Sequence, residues 1–183
     1  MARRTWTKQE EWIVSLLLEG QADFLQALAR QVKPPFCQRV IRRNPRSWRK
    51  ADRTELNEYH WDLVFDESLL GQYSLGPDVE MHIDDLHVTE KHLGERLQII
   101  AQISNGLLTR IVARAPRPVR WPRKLQIDDW CYILQTPEGP WRSKRRADLD
   151  RLSRRQSRGE EDDGAIPMAI PISAQADPPT PDP

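Results

Sequence analysis

Cysteine is scarce: Cys37 and Cys131 are the only two in 183 residues. Two half-buried thiols in a reduced, cytoplasmic protein is the expectation they carry. Long apolar runs are missing as well, since no stretch approaches the roughly 20 residues needed to span a bilayer. Residues 1–11 are charged, and the apolar run 13–18 is too short for the hydrophobic region of a signal peptide. No membrane association is expected. The chain also lacks a glycine-rich phosphate loop, a Gly-x-Ser-x-Gly elbow and a His-Glu-x-x-His helix. An excess of one charge is absent too: 28 Lys and Arg stand against 27 Asp and Glu, a net charge of +1. That balance predicts neither a general nucleic-acid binder nor an acidic decoy.

Locally the charge is uneven. Residues 55–90 hold ten carboxylates and not one Lys or Arg, whereas residues 39–53 hold seven cations against Asp52 alone, and residues 110–124 are basic again. These stretches are expected to lie beside one another in a sheet and neutralise each other. The competing reading is a basic face for an anionic partner.

What is present points first to a hairpin. Asn105-Gly106 sits between two runs of strand formers, 97–104 and 107–114, and Asn-Gly is the pair that best tolerates the positive φ of a type I′ turn. A two-residue turn pairs Ile103 with Leu108 and Ile99 with Val112. One face then carries Leu97, Ile99, Ala101, Ile103, Leu108 and Val112, and the other Gln98, Ile100, Gln102, Ser104, Thr109 and Ile111. By this register Arg110 and Arg114 fall on the apolar face, opposite Ala101 and Leu97. They must reach an edge or meet an acid from residues 62–85.

Thr7-Lys8-Gln9-Glu10 fits a capping box. A helix should run from it to about residue 19, burying Trp12, Ile13, Leu16 and Leu17. A second helix over about 22–32 should bury Phe24, Leu25, Leu28 and Val32. Residues 36–42 alternate loosely, 43–58 read as a loop, and 59–66 alternate as a strand with Tyr59, Trp61, Leu63 and Phe65 inward. Residues 79–88 form a strand broken at Asp84-Asp85, and 125–134 form another. The expected fold is α+β: two N-terminal helices packed on a largely antiparallel sheet of four to six strands. Residues 1–140 make one domain. Residues 141–183 make a disordered tail with a frayed helix near 147–155, because eight cations and then six prolines leave little from which to build a core.

The histidines at 60, 82, 87 and 92 have spacings that suit neither strand nor helix ligation, so no metal and no cofactor are expected. Neither cysteine follows a glycine elbow or opens a helix, so no nucleophile and no catalytic set are assigned. An enzymatic site would require His82, Asp84 and Arg110 to gather in one pocket. A helix-turn-helix reading of the first two helices is disfavoured, since the second would place Asp23 and Gln26 where docking contacts are needed. The binding candidates are Trp48 with Arg49 and Lys50, Trp121 with Arg120 and Arg123, and Arg110. Indoles among cations can stack bases and grip phosphates, anchor a protein interface, or simply pin a loop onto the domain. The leading expectation is a non-enzymatic protein-binding or adaptor module, which its charged, Pro-rich C-terminal segments would suit. The alternative is nucleic-acid binding through 39–53, 110–124 and the basic tail.

Overall fold

The Thr7 capping box closes as its spacing predicts. The Thr7 hydroxyl accepts the Glu10 amide at 3.3 Å and the Glu10 carboxylate accepts the Thr7 amide at 2.7 Å, opening helix α1 (Lys8–Leu17). The computed structural model describes residues 6–43, 58–122, 124–158 and 169–172. By its contacts the chain divides into two compact units, Met1–Trp130 and Cys131–Pro183.

In the first unit, α1 and α2 (Asp23–Gln31) lie on one face of an antiparallel sheet. Its strands are β1 (Cys37–Arg43), β2 (Glu58–Phe65), β3 (Met81–Glu90), β4 (Arg96–Ser104) and β5 (Leu107–Arg114), in the order β1-β2-β5-β4-β3. The fold is α+β. Trp61, Leu86, Leu97, Ile99, Ala101, Ile103, Leu108 and Ile111 form the buried layer beneath the helices. Trp12, expected in the core, is half-buried and meets Trp130 edge-on at 5.1 Å. A 3-10 turn (Glu67–Leu69) and the one-turn helix α3 (Leu70–Tyr73) link β2 to β3. At Asp84-Asp85 β3 does not break. Its pairing with β4 shifts there, and the strand runs on to Glu90.

Two expectations need correction. Phe24 is 38 % exposed rather than buried, because α2 turns a Leu25, Leu28, Gln31 stripe to the sheet. Gln31 sets that rotation. Its Nε2 donates to the carbonyls of Tyr73 at 2.6 Å and Gly106 at 2.9 Å, and its Oε1 accepts the Leu108 amide at 2.7 Å. Gln31→Leu leaves these backbone groups without that partner in a dry site. It is expected to cost about 2 kcal/mol in urea denaturation, where the exposed Gln26→Ala changes little.

The second correction concerns register. The turn pairs Ile103 with Leu108 as expected, but the ladder shifts between Gln102 and Ile103, so that Ile100, not Ile99, faces Val112. Thr109 is the extra residue, and its hydroxyl bonds the Gln102 carbonyl at 3.1 Å. Beyond this bulge every side chain of β5 changes face. Ile111 and Ala113 enter the core, while Arg110 and Arg114 leave it and stand opposite Gln102 and Gln98. An in-line register would have driven two guanidinium groups into the apolar layer, at the cost of burying charge. The bulge avoids this.

Residues 81–126 are tied by Glu90, which is fully buried. Its carboxylate accepts the amides of His92 at 2.7 Å, Leu93 at 2.8 Å and Gln126 at 2.9 Å.

Structure continues past residue 140. Strand β6 (Ile127–Thr136), which runs across the boundary between the units, forms a hairpin with β7 (Gly139–Ser143). Helix α4 (Arg146–Arg158) follows, and β8 (Ala169–Pro171) pairs with β7. Leu149 and Leu152 of α4 are buried, and the Arg146 guanidinium lies 4.8 Å from the centre of the Tyr132 ring. Ser143 and Asp148 secure the entry to α4: the Ser143 hydroxyl donates to Asp148 at 3.1 Å and accepts the Arg145 amide at 3.0 Å. The expected boundary at residue 140 therefore cuts a hairpin. Two leucines suffice here because stacking on Tyr132 lets a cation help cover it. Residues 159–168 and 173–183 of the expected tail lie outside the described residues.

Candidate functional site

The expected neutralisation of basic by acidic stretches is visible in the sheet. Asp62 of β2 accepts a hydrogen bond from Arg110 Nε on one oxygen at 2.6 Å, and its other oxygen forms an ion pair with Arg43 Nε at 2.6 Å without hydrogen-bond geometry. Glu58 receives Arg114 Nε at 2.7 Å and meets His60 Nε2 at 3.0 Å, and Arg117 pairs with Glu95. The acid for Arg110 falls within the predicted interval, whereas that for Arg114 lies just before it. Sharing one carboxylate between Arg43 and Arg110 is what the antiparallel order β1-β2-β5 makes possible.

Of the remaining binding candidates, Arg120 and Trp121 lie among the described residues. Trp121 is 1 % exposed and packs against Tyr59 with ring centres 5.8 Å apart, so it is an internal residue with no open face for a base. Arg120 beside it is exposed. Trp48, Arg49, Lys50 and Arg123 lie outside the described residues. His82 and Arg110 both flank Gln102 on one sheet face, yet neither of the two large cavities contains them or Asp84. Among the described residues no three His, Cys, Asp or Glu side chains gather as a metal-ligand set. Burial pushes the Cys37 thiol up to about 11, which keeps it protonated at neutral pH.

Two cavities flank α1, and both include residues expected in the core or at a helix cap, among them Glu10 and Trp61 in one and Val32 in the other. The first, of about 490 Å³, opens between the first turn of α1, the aromatic end of β2 and residues 124–126. Glu10 is its hub. Beyond the Thr7 amide, its carboxylate accepts Trp61 Nε1 at 2.8 Å and Arg42 Nε at 2.6 Å, and Arg42 Nη2 completes a two-pronged ion pair. Burial alone would raise the Glu10 carboxyl. The hydrogen bonds from Arg42, Thr7 and Trp61 and the Arg42 charge outweigh burial and hold it below its ordinary value. A fully committed carboxylate contributes no open negative charge to the cavity. Lys8 and Lys124, both exposed, stand on its rim.

The second cavity is a cleft of about 430 Å³ between α1, the end of α2 and Trp6. Val14, Leu18, Ala29, Val32 and Pro34 give it an apolar lining, and Glu11, Ser15 and Lys33 complete its edge. Trp6 is half-buried and is held there by its indole N–H, which donates to the Val32 carbonyl at 3.1 Å. The periodicity of α1 and α2 carries the signal for Val14, Leu18 and Val32. Nothing local distinguishes a residue facing the sheet from one facing a cleft. Comparison with known protein families, curated proteins and solved structures finds no match to this chain.

Proposed function

We propose that the protein is a non-catalytic protein-binding module that takes an apolar segment of another protein into the cleft between Trp6, α1 and α2. The observation that carries this reading is the composition of the cleft: an apolar floor with a tethered indole wall and a polar edge. That is the anatomy of an interface patch, in which a well-packed aromatic anchor supplies most of the affinity. The nucleic-acid reading loses support because Arg42, Arg43, Arg110, Arg114 and Arg117 each hold a carboxylate. No helix among the described residues is long and apolar enough to cross a membrane. The two free, buried thiols support a reducing, cytoplasmic setting.

Selection from a random peptide library against the full chain tests this. Recovered peptides are expected to share two or three closely spaced apolar side chains. Ala29→Lys, which places a cation in the half-buried cleft wall, should weaken them by about tenfold or more without changing the melting temperature. No enrichment, or binding indifferent to Ala29→Lys, would overturn the reading. Tight binding of a mixed-sequence oligonucleotide that falls steeply with salt would favour the alternative.

A further inference from the structure

The cleft beside Trp6 takes its shape from two helices. On α1 and its C-cap, Glu11, Val14, Ser15 and Leu18 line it at i, i+3, i+4 and i+7, a single stripe about 10 Å long. Ala29, Val32 and Lys33, at the end of α2, form the facing wall. The Trp6 indole bond to the Val32 carbonyl joins the start of α1 to the end of α2. Residues 18–22 return the chain at the other end, so the two helices run antiparallel along the cleft.

This lining offers an occupant little backbone to bond with. The Val32 carbonyl is taken by Trp6, the Val14 carbonyl accepts the Leu18 amide at 3.0 Å, and Pro34 has no N–H. The Ser15 hydroxyl is used as well, donating to the Trp12 carbonyl at 2.7 Å. An extended segment laid here would bring its own amides and carbonyls against apolar walls, each at the cost of an unmade hydrogen bond. A helix arrives with those bonds already made. It also seats ridges of side chains in the groove that two neighbouring helices leave between them. Charge of both signs stands on the rim: Glu11 on one wall and Lys33 on the other are exposed, and neither forms an ion pair with a described residue.

We propose that the occupant of the cleft is an amphipathic helix of the partner protein, about two to three turns long. Its apolar side chains stand at i, i+3 or i+4, and i+7, and flanking charges of both signs meet Glu11 and Lys33. The inference rests on the protein-binding reading above and narrows it to one class of partner segment.

Peptides of about 14 residues, long enough for nearly four helical turns and random at every position, are selected against the full chain and titrated by fluorescence anisotropy. The apolar residues shared by the recovered set are expected at i, i+3 or i+4, and i+7. Their far-UV circular dichroism should gain helical signal when the protein is added. A proline between the first two anchors should weaken each peptide by about tenfold or more, whereas alanine at the same place should not. Glu11→Gln and Lys33→Gln, both at exposed positions, should lower affinity several-fold at low salt and little at high salt. Recovered peptides that alternate apolar residues at i and i+2, or that tolerate the proline, would overturn the helix. If Ala29→Lys still weakened them, the protein-binding reading would stand without it. No enrichment at all would remove the reading and this inference together. Binding that appears only after deletion of residues 2–5 would assign the cleft to the chain's own N-terminus and overturn the partner helix.

Discussion

Gly106→Val is expected to abolish cooperative folding or to lower stability by at least about 3 kcal/mol, more than any other single change outside the ion-paired hub at Glu10. Two independent costs meet at this position. Gly106 sits at φ +71°, where a β-branched residue is strained. A Cβ here would also lie 2.4 Å from the Gly76 carbonyl oxygen, 2.6 Å from its nitrogen and 2.6 Å from the Ser74 hydroxyl. Two of these are backbone atoms, which no side-chain rotation can clear. They cannot withdraw cheaply, because the Gly106 carbonyl accepts Leu75 N at 3.0 Å and its amide donates to the Val79 carbonyl at 2.9 Å. The carbonyl also accepts Gln31 Nε2 at 2.9 Å. Gly94 is the matched control: it too has positive φ, +62°, but nothing lies within 4 Å of an added Cβ. Gly94→Ala should therefore show the backbone strain alone, about 1 kcal/mol, and Gly106→Ala clearly more. Urea denaturation of the three variants checks this. Equal losses for Gly94→Ala and Gly106→Ala would mean that the hairpin turn is not packed against residues 74–76.

The same hairpin shows where sequence reasoning stops. Asn105-Gly106 announces the turn and its first pair because turn chemistry is local. The bulge at Thr109 is not local. It is favoured because Arg110 and Arg114 then reach Asp62 and Glu58 on β2, 48 and 56 residues away. No pattern within the hairpin contains that information. Glu10 behaves likewise. The capping box identifies it as a residue that reaches back to Thr7, but Arg42 and Trp61, 32 and 51 residues on, make it the hub of a cavity. Trp121, set among prolines and arginines, reads equally as a binding indole or as one that pins a loop onto the domain, and only its contact with Tyr59, distant in sequence, shows it to be buried. Helix α4 has only Leu149 and Leu152 to mark its apolar side. Local signals thus reveal elements and fold class. The sites arise where elements distant in sequence place polar groups against each other.

Glu10 also yields a prediction whose form, not only its size, tests the structure. Glu10→Gln keeps the shape of the side chain and still accepts from Trp61, but it replaces one oxygen with an amide that faces the Arg42 guanidinium. Removing one partner of a largely buried ion pair leaves the other charge uncompensated, at a cost of about 3 kcal/mol at neutral pH. The cost should depend on pH in a defined direction. The carboxyl is held below its ordinary value in the folded protein, because Arg42, Thr7 and Trp61 together outweigh the upward push of burial. A group depressed in this way stabilises the fold fully above its unfolded pKa, about 4.3 for Glu, and loses that contribution as pH falls through the folded value. Wild-type stability should therefore decline below about pH 4, and Glu10→Gln should lack this share of the decline. Glu58 is likewise held low, its hydrogen bonds from His60 and Arg114 exceeding the opposing effect of burial. It adds an acid limb of the same sign to both proteins, so the informative quantity is the difference between them. That gap should be widest near pH 7 and narrow as pH falls below the unfolded value of Glu. Denaturation midpoints taken across this range measure it directly. A gap that stayed constant with pH would show that Glu10 acts through packing rather than charge, and the ion-paired wall of the polar cavity would have to be redrawn.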